Sequence, residues 1–263
     1  MTASGKLKWL LAGLLCLALW PAHPFAQTGQ WEKYMAAADA AYQTGNFAEA
    51  EKQFGAALKE AVRFGPKDTR LATSLNNLAF IYKVQGKYAD AEPLYERSLA
   101  IVEETLGLGH PRLATSLDNL AGLHHEQGNY AEAEPLYKRS MAVREKALGP
   151  DHPDVALSLN NLAGLYHEQG RYAEAEPLYK RSLAVLGKTR GPDHPDVIQS
   201  LSGLAGLYHD QGNYAEAEPL YQRSLAVLEK TLGPGHPDVA QSLDNLAALY
   251  QDQSQYAVAE PLY

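Results

Sequence analysis

Apolar residues recur along this chain at intervals of three and four, broken at regular points by turn-forming residues. In residues 155–196, Val155, Leu159, Leu162, Ala163 and Tyr166 fall on one stripe of a helix. The pattern halts at Gln169 and Gly170, a turn signal, and resumes with Tyr172, Ala175, Leu178, Tyr179, Leu183 and Leu186. Each unit is therefore a pair of amphipathic helices. Equivalent positions at Leu71, Leu113, Val155, Val197 and Val239 begin units 42 residues apart. No hairpin closes its own apolar face, so the units must stack into one extended core, and the period predicts an all-α solenoid. Ala163 and Ala175 are small enough for two helices to approach closely, while Tyr166, Tyr172 and Tyr179 fill the wider gaps.

The order Leu-Ala/Gly-x-x-Tyr, then Gly, then Tyr-x-x-Ala, then Tyr resembles the tetratricopeptide repeat, and the 42-residue form ending in Gly-Pro-Asp-His-Pro-Asp resembles the kinesin light chain type. That resemblance implies a right-handed superhelical array of antiparallel helical hairpins, with at least eleven helices. It covers residues 71–263 and, more loosely, the stretch from Trp31, where AYQTGNFAEAEKQFGAAL reads as a divergent first hairpin. The expected organisation is a signal peptide over 1–26, a short linker with the divergent hairpin over 27–70, and the tandem array over 71–263, its last repeat incomplete.

The loops between units carry a local grammar. Gly149, Gly191 and Gly233 end a helix and the following prolines stop its continuation. Asp154, Asp196 and Asp238 are placed to cap the next helix, with Gln199 and Gln241 three residues on completing capping boxes. Arg112 takes the aspartate's place in an earlier loop, which predicts the weakest helix start there. Pro93, Pro135, Pro177, Pro219 and Pro261 fall inside the second helices, where a proline ordinarily costs about 3 kcal/mol. A continuous, slightly bent helix is expected all the same, because Ala-Glu-Pro-Leu-Tyr runs are typical of the repeat type that the chain resembles.

Charge narrows the partners. The net charge is −8, and loss of Lys6 and Lys8 with the signal segment makes it −10. An acidic chain without a basic stripe argues against nucleic acid and anionic membranes. The two lysines precede an apolar run over residues 9–20, then Pro21 and a small Ala26, the pattern of an export signal. The expected location is exported, periplasmic or secreted, in a bacterium; membrane contact arises only if the segment stays uncleaved. The one cysteine, Cys16, lies in that run, so no disulfide or thiolate metal site is expected in the mature chain.

No nucleophile motif or phosphate-cradling loop is present, and neither an enzyme nor a cofactor is expected. Histidines stand in two columns, His110, His152, His194 and His236 in the loops and His125, His167 and His209 near the ends of first helices. Equivalent atoms of stacked repeats are roughly 8–10 Å apart or more, too far for one metal ion, so loop bracing or solvation is the plainer role. Glu132 and Glu134, with Glu174 and Glu176, read as solvated helix-face charges, with Glu134–Lys138 and Glu176–Lys180 spaced for weak pairs.

What remains is the other stripe of the first helix. It carries Asn76 and Asn77, Asp118 and Asn119, Asn160 and Asn161, Ser202 and Gly203, and Asp244 and Asn245; one turn on come Gly122, Gly164 and Gly206, and then His125, His167 and His209. The tetratricopeptide resemblance implies that first helices line the concave surface, which makes this stripe the expected groove for a protein or extended peptide. The glycines leave room, and the amides offer donors and acceptors to a peptide backbone. Two function classes follow: an exported interaction scaffold, or the docking arm of a larger exported enzyme whose catalytic domain, for example protease-like, lies beyond residue 263.

Overall fold

The computed structural model describes residues 29–263; the proposed signal segment over 1–26 lies outside them. The described residues form twelve α-helices and two short 3-10 segments, with no strand. The helices pair as α1 (Gln30–Gln43) with α2 (Phe47–Ala61), α3 (Thr69–Val84) with α4 (Tyr88–Leu106), α5 (Pro111–Glu126) with α6 (Tyr130–Leu148), and α7 (Pro153–Glu168) with α8 (Tyr172–Thr189). The series continues with α9 (Val197–Asp210) and α10 (Tyr214–Leu232), then α11 (Pro237–Asp252) and the single turn α12 (Tyr256–Ala259). These antiparallel hairpins stack as a right-handed superhelical solenoid.

The core is a relay of clusters that straddle neighbouring repeats. Ala121, Ala133 and Tyr137 of one hairpin pack with Leu162, Tyr166 and Tyr179 of the next and with Leu204 and Leu207 of the one after. Leu159, Leu165 and Leu201 are fully buried, each contributing about 1.5–3 kcal/mol. Ala163 and Ala175, also fully buried, sit at close approach as expected. Buried serines that the sequence reading passed over add polar pins: Ser98, Ser140 and Ser182 on second helices donate to the carbonyls of Ala72, Ala114 and Ala156 on first helices at 2.8–3.1 Å.

Four second helices continue unbroken through Pro93, Pro135, Pro177 and Pro219. Each proline removes only its own backbone donor, and packing on both flanks holds the rest. Glycines at φ +70 to +77 close the four hairpin turns after α3, α5, α7 and α9; Ser254 takes their place in the last repeat at φ 60.

The helix caps are the loop histidines, not the aspartates: Nδ1 of His110, His152 and His236 accepts the amide hydrogen of the residue two further on at 3.1–3.2 Å. Proline at the first helical position puts the capping site one residue before it, on histidine, and moves Asp154 and Asp238 into the first turn, where a carboxylate still favours the helix dipole. Gln241 is then too far along for a capping box, and at α9, where Asp196 does take the N-cap position with Gln199 three residues on, the Asp196 side chain makes no capping bond. His110 caps α5 as its counterparts cap α7 and α11, so Arg112 does not weaken that start. The late start is α9, at Val197, although His194 makes the same bond to the Asp196 amide at 3.2 Å.

Glu134 is not a solvated charge. It takes Tyr166 Oη at 3.0 Å, Arg171 Nη1 at 2.7 Å and Lys138 Nζ at 2.6 Å, and so staples α6 to α7 and the turn after it. Glu176 receives Tyr208 and Lys180 in the same way, and Glu218 receives Tyr250. The Lys138 bond, against the opposing effect of burial and aided by Arg171 and Tyr166, lowers the Glu134 carboxyl to about 2. A depressed carboxyl stabilises the fold above its unfolded value of about 4.3, and that stability is lost as pH falls toward about 2. Glu134→Gln is therefore expected to lower the melting temperature at pH 7 and to approach the parent as pH falls to about 2 in circular dichroism melts. An equal penalty at both pH values would show that the staple's charge is irrelevant.

Candidate functional site

First helices of successive repeats touch one another directly, α3 with α5, α5 with α7 and α7 with α9, whereas second helices stand further apart. The first helices therefore form the inner face. Along it run four inter-repeat rungs: Lys83 to Glu126 at 2.8 Å, His125 to Glu168 at 2.9 Å, His167 to Asp210 at 3.0 Å and His209 to Asp252 at 2.9 Å. Each imidazole lies edge-on to two tyrosines of its own hairpin, as His167 does to Tyr172 and Tyr179 at 5.7 and 6.4 Å between centroids. The three histidines expected to meet a ligand thus first join one repeat to the next. Burial raises the Glu168 carboxyl, but its bonds from His125 and Tyr130 outweigh this and hold it below the ordinary carboxylate value.

The asparagine stripe divides by depth. Asn76 accepts from Asn119 Nδ2 at 2.7 Å and donates to Asn77 Oδ1 at 3.3 Å, which links the first two regular repeats. Asn160 is 3% exposed and accepts from Ser200 Oγ at 3.0 Å. Asp118 is buried against Arg144, which stands where other second helices carry Val102, Leu186 or Leu228. Burial pushes the Asp118 carboxyl up, with Arg144 opposing. These three residues serve the repeat junctions. Asp244 is exposed. Asn119 and Asn161 are half-buried, and Asn161 makes no hydrogen bond among the described residues; Asn245 accepts from Gln241 at 3.4 Å.

Glycines divide as well. A Cβ placed on Gly122 would lie 3.6 Å from Tyr137 Oη and one on Gly164 would lie 3.7 Å from Tyr179 Oη, both ordinary contacts. On Gly203 it would lie 2.4 Å from Tyr179 Cε1, so the tyrosine ring fills the space that an asparagine occupies in the other repeats. Gly206 is buried in α9. Beside Gly164 and Gly203 is a cavity of about 60 Å³, lined also by Asn160, Asn161, Gln199, Glu168, both flanking histidines and the two tyrosines Tyr137 and Tyr179. Among the described residues no group of three or more His, Cys, Asp or Glu is placed to hold a metal ion.

The tetratricopeptide repeat model matches residues 70–145, 114–188, 154–227 and 196–263, and a second tetratricopeptide model matches 35–104. No curated protein matches the chain. Among solved structures, a Podosopora anserina putative kinesin light chain with nearly identical TPR-like repeats is 26% identical. The match covers 78% of this chain and 99% of that one with a TM-score of 0.64. BtubC (BKLC) from P. vanneervenii is 22% identical over 89% and 86% of the two chains, with a TM-score of 0.65. A Rap protein complexed with Competence and Sporulation Factor is 16% identical over 91% and 74%, also with a TM-score of 0.65. With the repeat model spanning residues 70–263 and kinesin light chain-like proteins among its structural neighbours, the chain belongs to the tetratricopeptide repeat family.

Proposed function

We propose that the protein is an exported interaction scaffold that holds an extended peptide of its partner along the inner face. The observation that carries this reading is the pair Gly122 and Gly164. Alanine would fit at either position in ordinary contact and would stabilise the helix by about 1 kcal/mol, so packing does not call for glycine. Backbone approach of a ligand does. The half-buried amides of Asn119 and Asn161 lie on the same stripe, and the rungs keep the repeats at fixed spacing. A protein of this fold, the Rap protein, has been solved with the Competence and Sporulation Factor bound. The acidic composition and the lysine-led apolar segment at the N-terminus support export and a partner other than nucleic acid.

Random decapeptides displayed on phage supply the probe without a known partner. Enriched peptides are expected to lose about 0.5–1.5 kcal/mol of affinity for Gly164→Ala, the scale of one backbone hydrogen bond, while the variant itself gains up to about 1 kcal/mol in urea unfolding. Peptides that bind Gly164→Ala unchanged would place the binding surface elsewhere. Failure to enrich any peptide would count against peptide binding altogether.

A further inference from the structure

The cavity beside Gly164 and Gly203 contains an unused donor. Tyr179 is 4% exposed, and its ring leans on Gly203 while its hydroxyl lies near Gly164, two residues of the cavity wall. Among the described residues that hydroxyl makes no hydrogen bond. Burial, with Glu168 adding to it, raises the phenol well above its ordinary value, so it stays a donor at any physiological pH. The hydroxyl opens on the cavity, so its partner must be found there. The wall adds further donors. The Asn160 carboxamide has its oxygen engaged by Ser200 and its amide hydrogens unbonded among the described residues, while Asn161 and Gln199, also unbonded among them, can each turn a donor or an acceptor inward. The one charged acceptor in the wall is Glu168, whose Oε2 is held by His125 and Tyr130 and whose Oε1 is unengaged among the described residues.

We infer that this cavity is the anchor pocket for one carboxamide side chain, asparagine or glutamine, of the peptide held on the inner face. The inference rests on the peptide-binding reading above. A carboxamide meets both sides of the wall: its oxygen accepts from Tyr179, and its nitrogen donates to Glu168 Oε1. A carboxylate in the same place would oppose Glu168, which is ionised. An ammonium would satisfy Glu168 but offer no acceptor to the Tyr179 hydroxyl. The volume of about 60 Å³ suits a group of a few heavy atoms and is too small for an aromatic ring. Gly203 lets the Tyr179 ring form this wall, because any side chain there would collide with it. The repeats that carry asparagine at this position have no counterpart to that packing.

Acetamide, acetate and methylammonium, each titrated into the nitrogen-15-labelled full chain, test the chemistry directly. Acetamide is expected to saturate in the millimolar range, with shifts at the Gly164 and Gly203 amides and the Asn161 side chain. Tyr179→Phe removes only the unbonded hydroxyl and so should fold; it is expected to weaken acetamide about two- to tenfold. Acetate or methylammonium binding as tightly as acetamide, an unchanged affinity in Tyr179→Phe, or no saturation by any of the three would overturn the pocket. The phage-selected peptides separate the two readings. Peptides that need Asn119 and Asn161 yet show no Asn or Gln preference and ignore Tyr179→Phe leave the groove standing and remove the pocket. Acetamide binding with no enriched peptide leaves the pocket and removes the groove.

Discussion

Arg144→Ala is expected to destabilise the junction between the second and third regular repeats by about 3–5 kcal/mol, the cost of leaving one member of a buried ion pair alone. Arg144 is 4% exposed and reaches Asp118, Ser140 and Ser158, so its loss strands a carboxylate between α5, α6 and α7. The sign of the pH effect follows from burial, which already raises the Asp118 carboxyl with the arginine present. A raised acid favours the folded state when protonated, so the penalty in Arg144→Ala should shrink as pH falls through the acid range. The neighbouring repeats supply the contrasting variant. Arg144→Leu combined with Asp118→Asn matches the Leu186 and Asn160 found one repeat later, and replacing a buried pair by packed residues is often neutral or stabilising by about 1–4 kcal/mol. Because stability in a solenoid is a sum of repeat and interface terms, the alanine variant should also split one urea transition into two. Hydrogen exchange should show α3 and α5 opening without α9 and α10. A single transition with a loss below about 1 kcal/mol would mean that the pair contributes nothing net to the junction.

The repeat period, the hairpins and the core positions were legible because each is a local pattern copied five times, and the stacking constraint leaves few alternatives. Three features were not. Histidine caps escaped because histidine is not among the usual capping residues; it takes the cap position where proline holds the first helical position, as at Pro111, Pro153 and Pro237. Arg144 escaped because its departure from an apolar column gains meaning only when Asp118 is known to face it. The rungs offered a signal in His125-Glu126, His167-Glu168 and His209-Asp210, one base followed by one acid in each repeat. Adjacent residues on a helix point apart, so each must find its partner in a neighbouring repeat, 43 residues away. The inner-face stripe was readable as a pattern, but its division into buried junction residues and open amides depends on depth, which the one-dimensional pattern does not carry.

Asn119→Ala with Asn161→Ala is expected to weaken the phage-selected peptides by about 1–3 kcal/mol, roughly fivefold to 150-fold, if each amide holds one backbone hydrogen bond. The two residues enter this test differently. Asn161 has no partner among the described residues, so its whole hydrogen-bonding capacity is available to a ligand. Asn119 gives one amide hydrogen to Asn76 at 2.7 Å, which fixes the side chain and leaves its oxygen free to accept. Preorganisation of that kind lowers the entropy lost on binding, so Asn119→Ala alone should account for more of the loss than Asn161→Ala. Stability should move little, because losing the Asn76 bond, about 0.5–1.5 kcal/mol on the ordinary scale, is largely offset by alanine's better helix propensity at two positions. The measurement is peptide affinity by calorimetry beside urea unfolding of the same samples. A double variant that unfolds would make the asparagines junction residues like Asn160, and one that folds and binds unchanged would move the ligand off the inner face.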